Sequence, residues 1–261
     1  MSAMQSNDAA VPNAAMSAFY AAMSRYGDIL PGAYRRQASD GTRLIFTGVP
    51  TSNLNVVYVE PERILGAVSE FADELSKTGA PWSMQVRGEV DPELLDLATR
   101  YGKNSAEASP LLLWDAELLP TLPAEVPRGA TVRKVSGAEC DVFADAMAAG
   151  FGAPRAAIDA LAQPALLDAP DVTAFVLEVN GEGVATGHNI RVGDHVVMFG
   201  GSVPARYRRN GYYRALVAAR LRDAVADGVR YAVSENSPMS RPLFESFGSR
   251  HFQTLTHLNS P

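Results

Sequence analysis

Four arginines crowd one stretch, Ser202-Val-Pro-Ala-Arg-Tyr-Arg-Arg-Asn-Gly-Tyr-Tyr-Arg-Ala-Leu216: Arg206, Arg208, Arg209 and Arg214. The stretch follows an apolar run with strand character, His195 to Gly201, and opens a run with helical spacing, Tyr212 to Asp227. A glycine where a strand turns into a helix lets several backbone N–H groups point one way. The positive end of the helix dipole adds to them. Guanidiniums around such a turn pair with phosphate oxygens in a fork geometry. The chemistry this spacing supports is capture of a compact phosphorylated ligand by the four guanidiniums and the backbone around Gly211.

These residues also carry a resemblance. Arg208-x-x-Gly211, followed by Tyr212-Tyr213-Arg-Ala-Leu, resembles the Arg/Gln-x-x-Gly-x-Gly/Ala signature of the GNAT superfamily of acyl-CoA N-acyltransferases. The resemblance implies that the loop amides of Asn210, Gly211, Tyr212 and Tyr213, with Arg208 and Arg209, bind the pyrophosphate of coenzyme A. It also implies that the preceding strand, ending near Val203, bonds the pantetheine arm where two central strands splay apart, with the Val203 amide facing the thioester. The chain departs from the pattern at Tyr213, where the family has Gly or Ala. A second departure lies in Leu243-Phe244-Glu245-Ser246-Phe247-Gly248: Phe244 stands where many members place a proton-donating tyrosine. Ser237 occupies the place of a coenzyme-contacting Asn, and Asn236 is one residue out of that register. Glu235, at the end of a strand beside the splay, and His188, on a middle strand facing the cleft, are the candidates for general base. Glu235 and Ser237 form the expected catalytic pair, and Val203, Ser237 and Phe244 join the loop residues around acetyl-CoA.

Composition narrows the function classes. The net charge is −6, so the arginine cluster is local, and no basic stripe with interleaved aromatics suggests a nucleic acid partner. No apolar run approaches the roughly 20 residues that span a bilayer, and the first residues lack the basic and apolar regions of a secretion signal. Cys140 is the only cysteine, which excludes an intramolecular disulfide and a cysteine-based metal site. The expectation is a cytoplasmic protein with no metal, acting as monomer or homodimer on a small-molecule or peptide amine.

A chain of 261 residues accommodates two domains of about 110–140 residues. Residues 1–12 are small and polar and read as disordered. Residues 13–117 give a helix over 14–26, strands over 43–46 and 54–59, a helix from Pro61 to 77, a strand over 82–86, a helix over 92–100 and a strand over 110–114. Pro120, Pro123 and Pro127 mark 118–129 as a linker, because proline fixes φ and removes a donor. From 130 to 261 the order is β-α-α-β-β-β-loop-α-β-α-β, with a hairpin at Asn180-Gly181 and Gly150-Phe-Gly-Ala-Pro154 as an acceptor-side loop. This is the order of a GNAT domain. The first part parallels its strand-helix-strand-helix-strand segment in order, as a worn copy of it or an unrelated α+β domain would, with Glu60-Pro61-Glu62 at the decisive turn. Carboxylates there suit the helix dipole but repel phosphate.

The fold class that follows is α/β with a mixed, mostly antiparallel sheet and splayed central strands: two GNAT-like domains in tandem, the N-terminal one degenerate. Two functions fit it, an acetyl-CoA-dependent N-acyltransferase and a non-catalytic acyl-CoA-binding protein.

Overall fold

Turn chemistry and apolar periodicity account for most of the elements. The computed structural model describes residues 4–261. Its first part runs α1 (Met4–Ile29), β1 (Tyr34–Gln37), β2 (Arg43–Phe46), β3 (Val56–Val59), α2 (Leu65–Ser76), β4 (Ser83–Arg87), α3 (Pro92–Arg100) and β5 (Ser105–Asp115). There follow β6 (Ala130–Val135), α4 (Cys140–Phe151), α5 (Arg155–Ile158), α6 (Pro164–Leu167), β7 (Val172–Val179) and β8 (Glu182–Val192). The chain closes with β9 (His195–Ser202), α7 (Tyr212–Ala226), β10 (Tyr231–Glu235), α8 (Arg241–Ser246) and β11 (Arg250–Asn259). In α2 the buried residues Val68, Phe71, Ala72 and Leu75 share one face at helical spacing. Asp91 caps α3, its Oδ1 accepting from the Leu94 N–H at 2.9 Å, and Pro92 occupies the first turn. Between β7 and β8, Asn180 and Gly181 both take positive φ, 52° and 83°, as a tight hairpin turn demands.

Two compact units emerge. The larger holds α1 up to Ala22 and Leu112–Phe252; the smaller holds Met23–Leu111 and Gln253–Pro261. In the larger, the strand order is β5-β10-β9-β8-β7-β6. Strands β6 to β9 form an antiparallel meander, and β9 pairs with β10 in parallel. One core cluster under α7 and α8 contains Leu112, Trp114, Met198, Val217, Phe244 and Phe247. In the smaller unit the order is β1-β2-β3-β4-β11, with only β3 and β4 parallel. Leu258 of β11 joins Val57, Phe71, Met84 and Val86 in its core.

Several expectations need correction. Helix α1 starts at Met4, so residues 4–12 are helical rather than disordered; Pro12 is accommodated within the helix, and residues 1–3 lie outside the described residues. Pro61 sits in a turn and does not open a helix, since α2 begins only at Leu65. The polar strand β1 was invisible to hydrophobic patterning because it is a sheet edge with exposed residues. The stretch 118–129 lies inside the larger unit. Part of it forms a 3-10 turn at Ala116–Thr121, and Arg222 donates to the carbonyls of Leu122 and Pro123 at 3.0 and 2.6 Å. The last strand packs in the smaller unit through the pairing of Leu255–Leu258 with Arg87–Met84. Of the expected loop at 150–154, Gly150 and Phe151 belong to the last turn of α4, and Gly152 caps it in the left-handed region.

Candidate active site

The parallel pairing of β9 and β10 is short. It joins Tyr231, Ala232 and Val233 to His195, Val196 and Val197 and stops there, although β9 runs on to Ser202 and β10 to Glu235. Beyond Val197 the two strands therefore part. On the other side of β9 the register against β8 shifts between Thr186 and His188, with Gly200 at φ 62°. A bulge of this kind bends a strand and re-aims what it carries. Thr186 and Ser202 lock the far end of the bulge, their hydroxyls 2.7 Å apart.

The arginine loop follows directly. A 3-10 turn at Ala205–Tyr207 leads into Arg208, then Arg209 at φ 64° and Gly211 at φ 78°, immediately before α7. A left-handed arginine is costly, about 1–3 kcal/mol, and such strain concentrates at ligand clamps. Gly211 is the N-cap of α7 and has no side chain with which to cap it. The first helical amide bonded back is that of Ala215, on the Gly211 carbonyl at 2.9 Å. The N–H groups of Tyr212, Tyr213 and Arg214 thus precede the first intrahelical bond, at the positive end of a 15-residue helix.

The structure separates the four arginines. Arg206 pairs with Glu182 at 2.8 Å, and Tyr207 donates to the same carboxylate at 2.7 Å, which ties the loop to the start of β8. Arg214 donates to the Ser246 hydroxyl and lies over the Phe247 ring, so it braces α8. Arg208 donates from Nε to the Val203 carbonyl at 3.0 Å, leaving the other edge of its guanidinium to the exterior. Arg209 is exposed and has no partner among the described residues. Asn210 braces the turn by donating to the carbonyls of Tyr207 and Arg208. Tyr212 stacks edge-on against Tyr207, and Val203 is buried under α7.

Across the splay, Glu235 ends β10 two residues past the last pair with β9 and is half-buried. Asn236 is buried and turned inward, donating to the Ser234 carbonyl and hydroxyl, so Ser237 is the residue that faces out. The Ser237 and Ser240 hydroxyls sit 3.3 Å apart at the entrance to α8. Phe244 is only 4% exposed and packs among Trp114, Met198 and Val217, so its ring serves the core. His188 drops out as a base. It is 1% exposed between Phe143 and Phe199, and burial with the nearby Arg220 cation pulls its pKa down to about 3.

Three glycines beside the splay make room for three polar side chains. A Cβ on Gly187 would run into Arg220, one on Gly200 into His188, and one on Gly201 into the Tyr213 hydroxyl. Arg220, 1% exposed, donates to Asn189 Oδ1 at 3.0 Å and to the carbonyls of His188 and Phe199 at 2.5 and 3.1 Å, stapling β8 to β9 at the bulge. Sequence reasoning missed it, although a signal existed: Arg220 stands among Leu216, Val217, Leu221 and Ala224 on the apolar face of α7. Glu182 was missed for want of any signal, as a carboxylate after a hairpin turn is ordinary.

Comparison with solved structures places this architecture. A GCN5-related N-acetyltransferase from Kribbella flavida superposes with a TM-score of 0.64 at 20% identity, over 96% of this chain and 95% of that one. A functionally unknown conserved protein from Staphylococcus epidermidis gives 0.63 at 13% identity, over 90% and 97%. A tandem GNAT protein from the clavulanic acid biosynthesis pathway gives 0.56 at 13% identity, over 87% and 83%. No protein-family model and no curated protein matches the chain in sequence. The chain has the fold of the GCN5-related N-acetyltransferases, a mixed and mostly antiparallel sheet with helices. Among the described residues no helix is long and apolar enough to cross a membrane, and no group of acidic, histidine or cysteine side chains could hold a metal ion.

Proposed function

We propose that this chain is an acyltransferase that moves an acetyl or other short acyl group from coenzyme A to an amine of a small molecule or peptide, with the larger unit as its catalytic part. The observation that carries the proposal is a juxtaposition. An uncapped helix N-terminus, flanked by Arg208 and Arg209, follows directly on a strand that has parted from its parallel neighbour. The donor set fits the coenzyme: backbone N–H groups and guanidiniums for a pyrophosphate, then the unpaired edge of β9 for an amide-bearing arm. Acetyl-CoA supplies the activated acyl group when bound.

Each residue has a role in this reading. The amides of Gly211 to Tyr213, with Arg208 and Arg209, hold the pyrophosphate, while Asn210 shapes the turn. The backbone at Val203 orients the thioester end and polarises its carbonyl. Ser237 contacts the arm from the β10 side, and Phe244 supports the wall by packing. Glu235 takes the proton of the incoming ammonium through water, as a carboxylate at the mouth of the splay can.

Calorimetric titration with coenzyme A should give one binding event per chain. Acetylation of an amine panel should then show turnover, and Glu235→Gln should lower kcat by roughly 10²–10⁴ with little change in coenzyme affinity. Binding without turnover across the panel would favour an acyl-CoA-binding protein, and absence of binding would overturn both.

A further inference from the structure

We infer that Tyr213 is the proton donor to the departing sulfur, its hydroxyl reaching the splay at Gly201 from the first turn of α7. The inference rests on the acyltransferase reading, and it deepens that reading by naming a residue for the leaving group. Expelling a thiol from a thioester breaks a carbon–sulfur bond and leaves the electron pair on sulfur. A donor within reach spares the site a bare thiolate. Phe244 has no proton to give, and its ring is buried in the core.

Tyr213 meets the geometric requirements. It is the second residue of α7, in the same turn whose amides form the phosphate seat. Its hydroxyl crosses to Gly201, four residues beyond Val197, where β9 no longer pairs with β10. Gly201 is what permits the approach, because any side chain there would collide with the phenol oxygen. The ring is held on both sides, packing against the cluster of Val217 and Phe244 and against that of Val203 and Leu216. Among the described residues no protein group bonds its hydroxyl, which leaves that donor to a ligand. Burial raises the phenol pKa, so the proton stays on at neutral pH, while the Arg220 cation works the other way and favours the tyrosinate that donation creates.

The step balances within the site. Tyr213 gives its proton to sulfur as the carbon–sulfur bond breaks, and the tyrosinate regains a proton from the nitrogen that becomes the amide. The other proton of the starting ammonium leaves earlier, through Glu235 to solvent, to free the amine for attack.

Tyr213→Phe keeps the ring and removes only the hydroxyl. Calorimetry compares coenzyme A with desulfo-coenzyme A, and the parent should prefer the thiol about two- to tenfold while the variant does not discriminate. In turnover, the variant should lose roughly 10²–10³ in kcat with KM for acetyl-CoA unchanged. The selenoester analogue, whose selenolate leaves without a proton, should recover most of that loss. Gly201→Ala, which displaces the hydroxyl but keeps it in the chain, should reproduce the defect. Undiminished kcat in Tyr213→Phe, equal loss with the selenoester, or a parent indifferent to the sulfur would overturn the assignment while leaving the acyltransferase standing. Failure of the parent to bind coenzyme A would overturn both.

Discussion

The turn after β3 and the turn after β9 occupy the same place in the strand-helix order, and they treat charge in opposite ways. After β9 the helix begins with a bare glycine, left-handed backbone and arginines. After β3, the carboxylate of Asp40 accepts from the Ile64 N–H at the N-terminus of α2, and from the N–H and hydroxyl of Thr42. Burial acts to raise the Asp40 pKa, but the amides of Ile64 and Thr42 outweigh it and hold the group below its ordinary value. Glu60, at the end of β3, is clamped between Arg43 and Arg87. The strands differ as well: all four residues of β3 pair with β4, whereas β9 leaves β10 after three. One unit satisfies its helix terminus and strand edge with its own groups; the other leaves both open. An anion site is therefore made by withholding internal partners as much as by supplying cations.

Acid should separate the two units most strongly. In the larger one His188 is neutral when folded, with a pKa of about 3, and takes a proton near 6.5 when unfolded. Its contribution is fully present above pH 6.5 and is lost progressively as pH falls toward 3, by up to roughly 5 kcal/mol. Urea unfolding between pH 7.5 and 4 should show that slope in the parent and a much flatter one in His188→Asn. Equal slopes would show that His188 is reached by water before the unit unfolds.

The seat itself comes next. Gly211→Asp puts a strained residue at φ 78° and a negative charge where phosphate approaches, and should lower coenzyme A affinity more than a hundredfold. Arg208→Ala should cost about 1.5–3 kcal/mol, roughly tenfold to over a hundredfold, with a smaller penalty at high salt. Parent-like binding by both folded variants would erase the contrast between the turns.

Asp40→Asn should destabilise the smaller unit by about 1 kcal/mol, since an amide oxygen replaces a charged acceptor at the start of α2. It should not create a second coenzyme site, because the pairing of β3 with β4 still closes the strand edge. Two binding events per chain in this variant would show that one carboxylate alone silences the smaller unit. Glu62→Ala, on an exposed position of the same turn, should leave coenzyme affinity unchanged within twofold, and it serves as the baseline for the others.

Local rules written in the residues settled a good deal. The Asn180-Gly181 hairpin, the Asp91 cap and the spacing of α2, α3 and α7 depend on neighbours three or four positions away, so sequence alone determines them. The arginine loop and its glycine were legible for the same reason, and so was the meander from β7 to β9. What tertiary structure decided involves partners far along the chain. No periodicity reveals that β11 pairs with β4, that Asp40 fills the terminus of α2, or that Arg206 and Arg214 are tied to Glu182 and Ser246. His188 looked like a cleft residue until Phe143 and Phe199 closed around it. Tyr213 read only as a departure from the family pattern; the missing side chain of Gly201, on another element, shows where its hydroxyl goes. Sequence fixes which groups a segment can offer, but burial and long-range packing choose which of them stay open for a ligand.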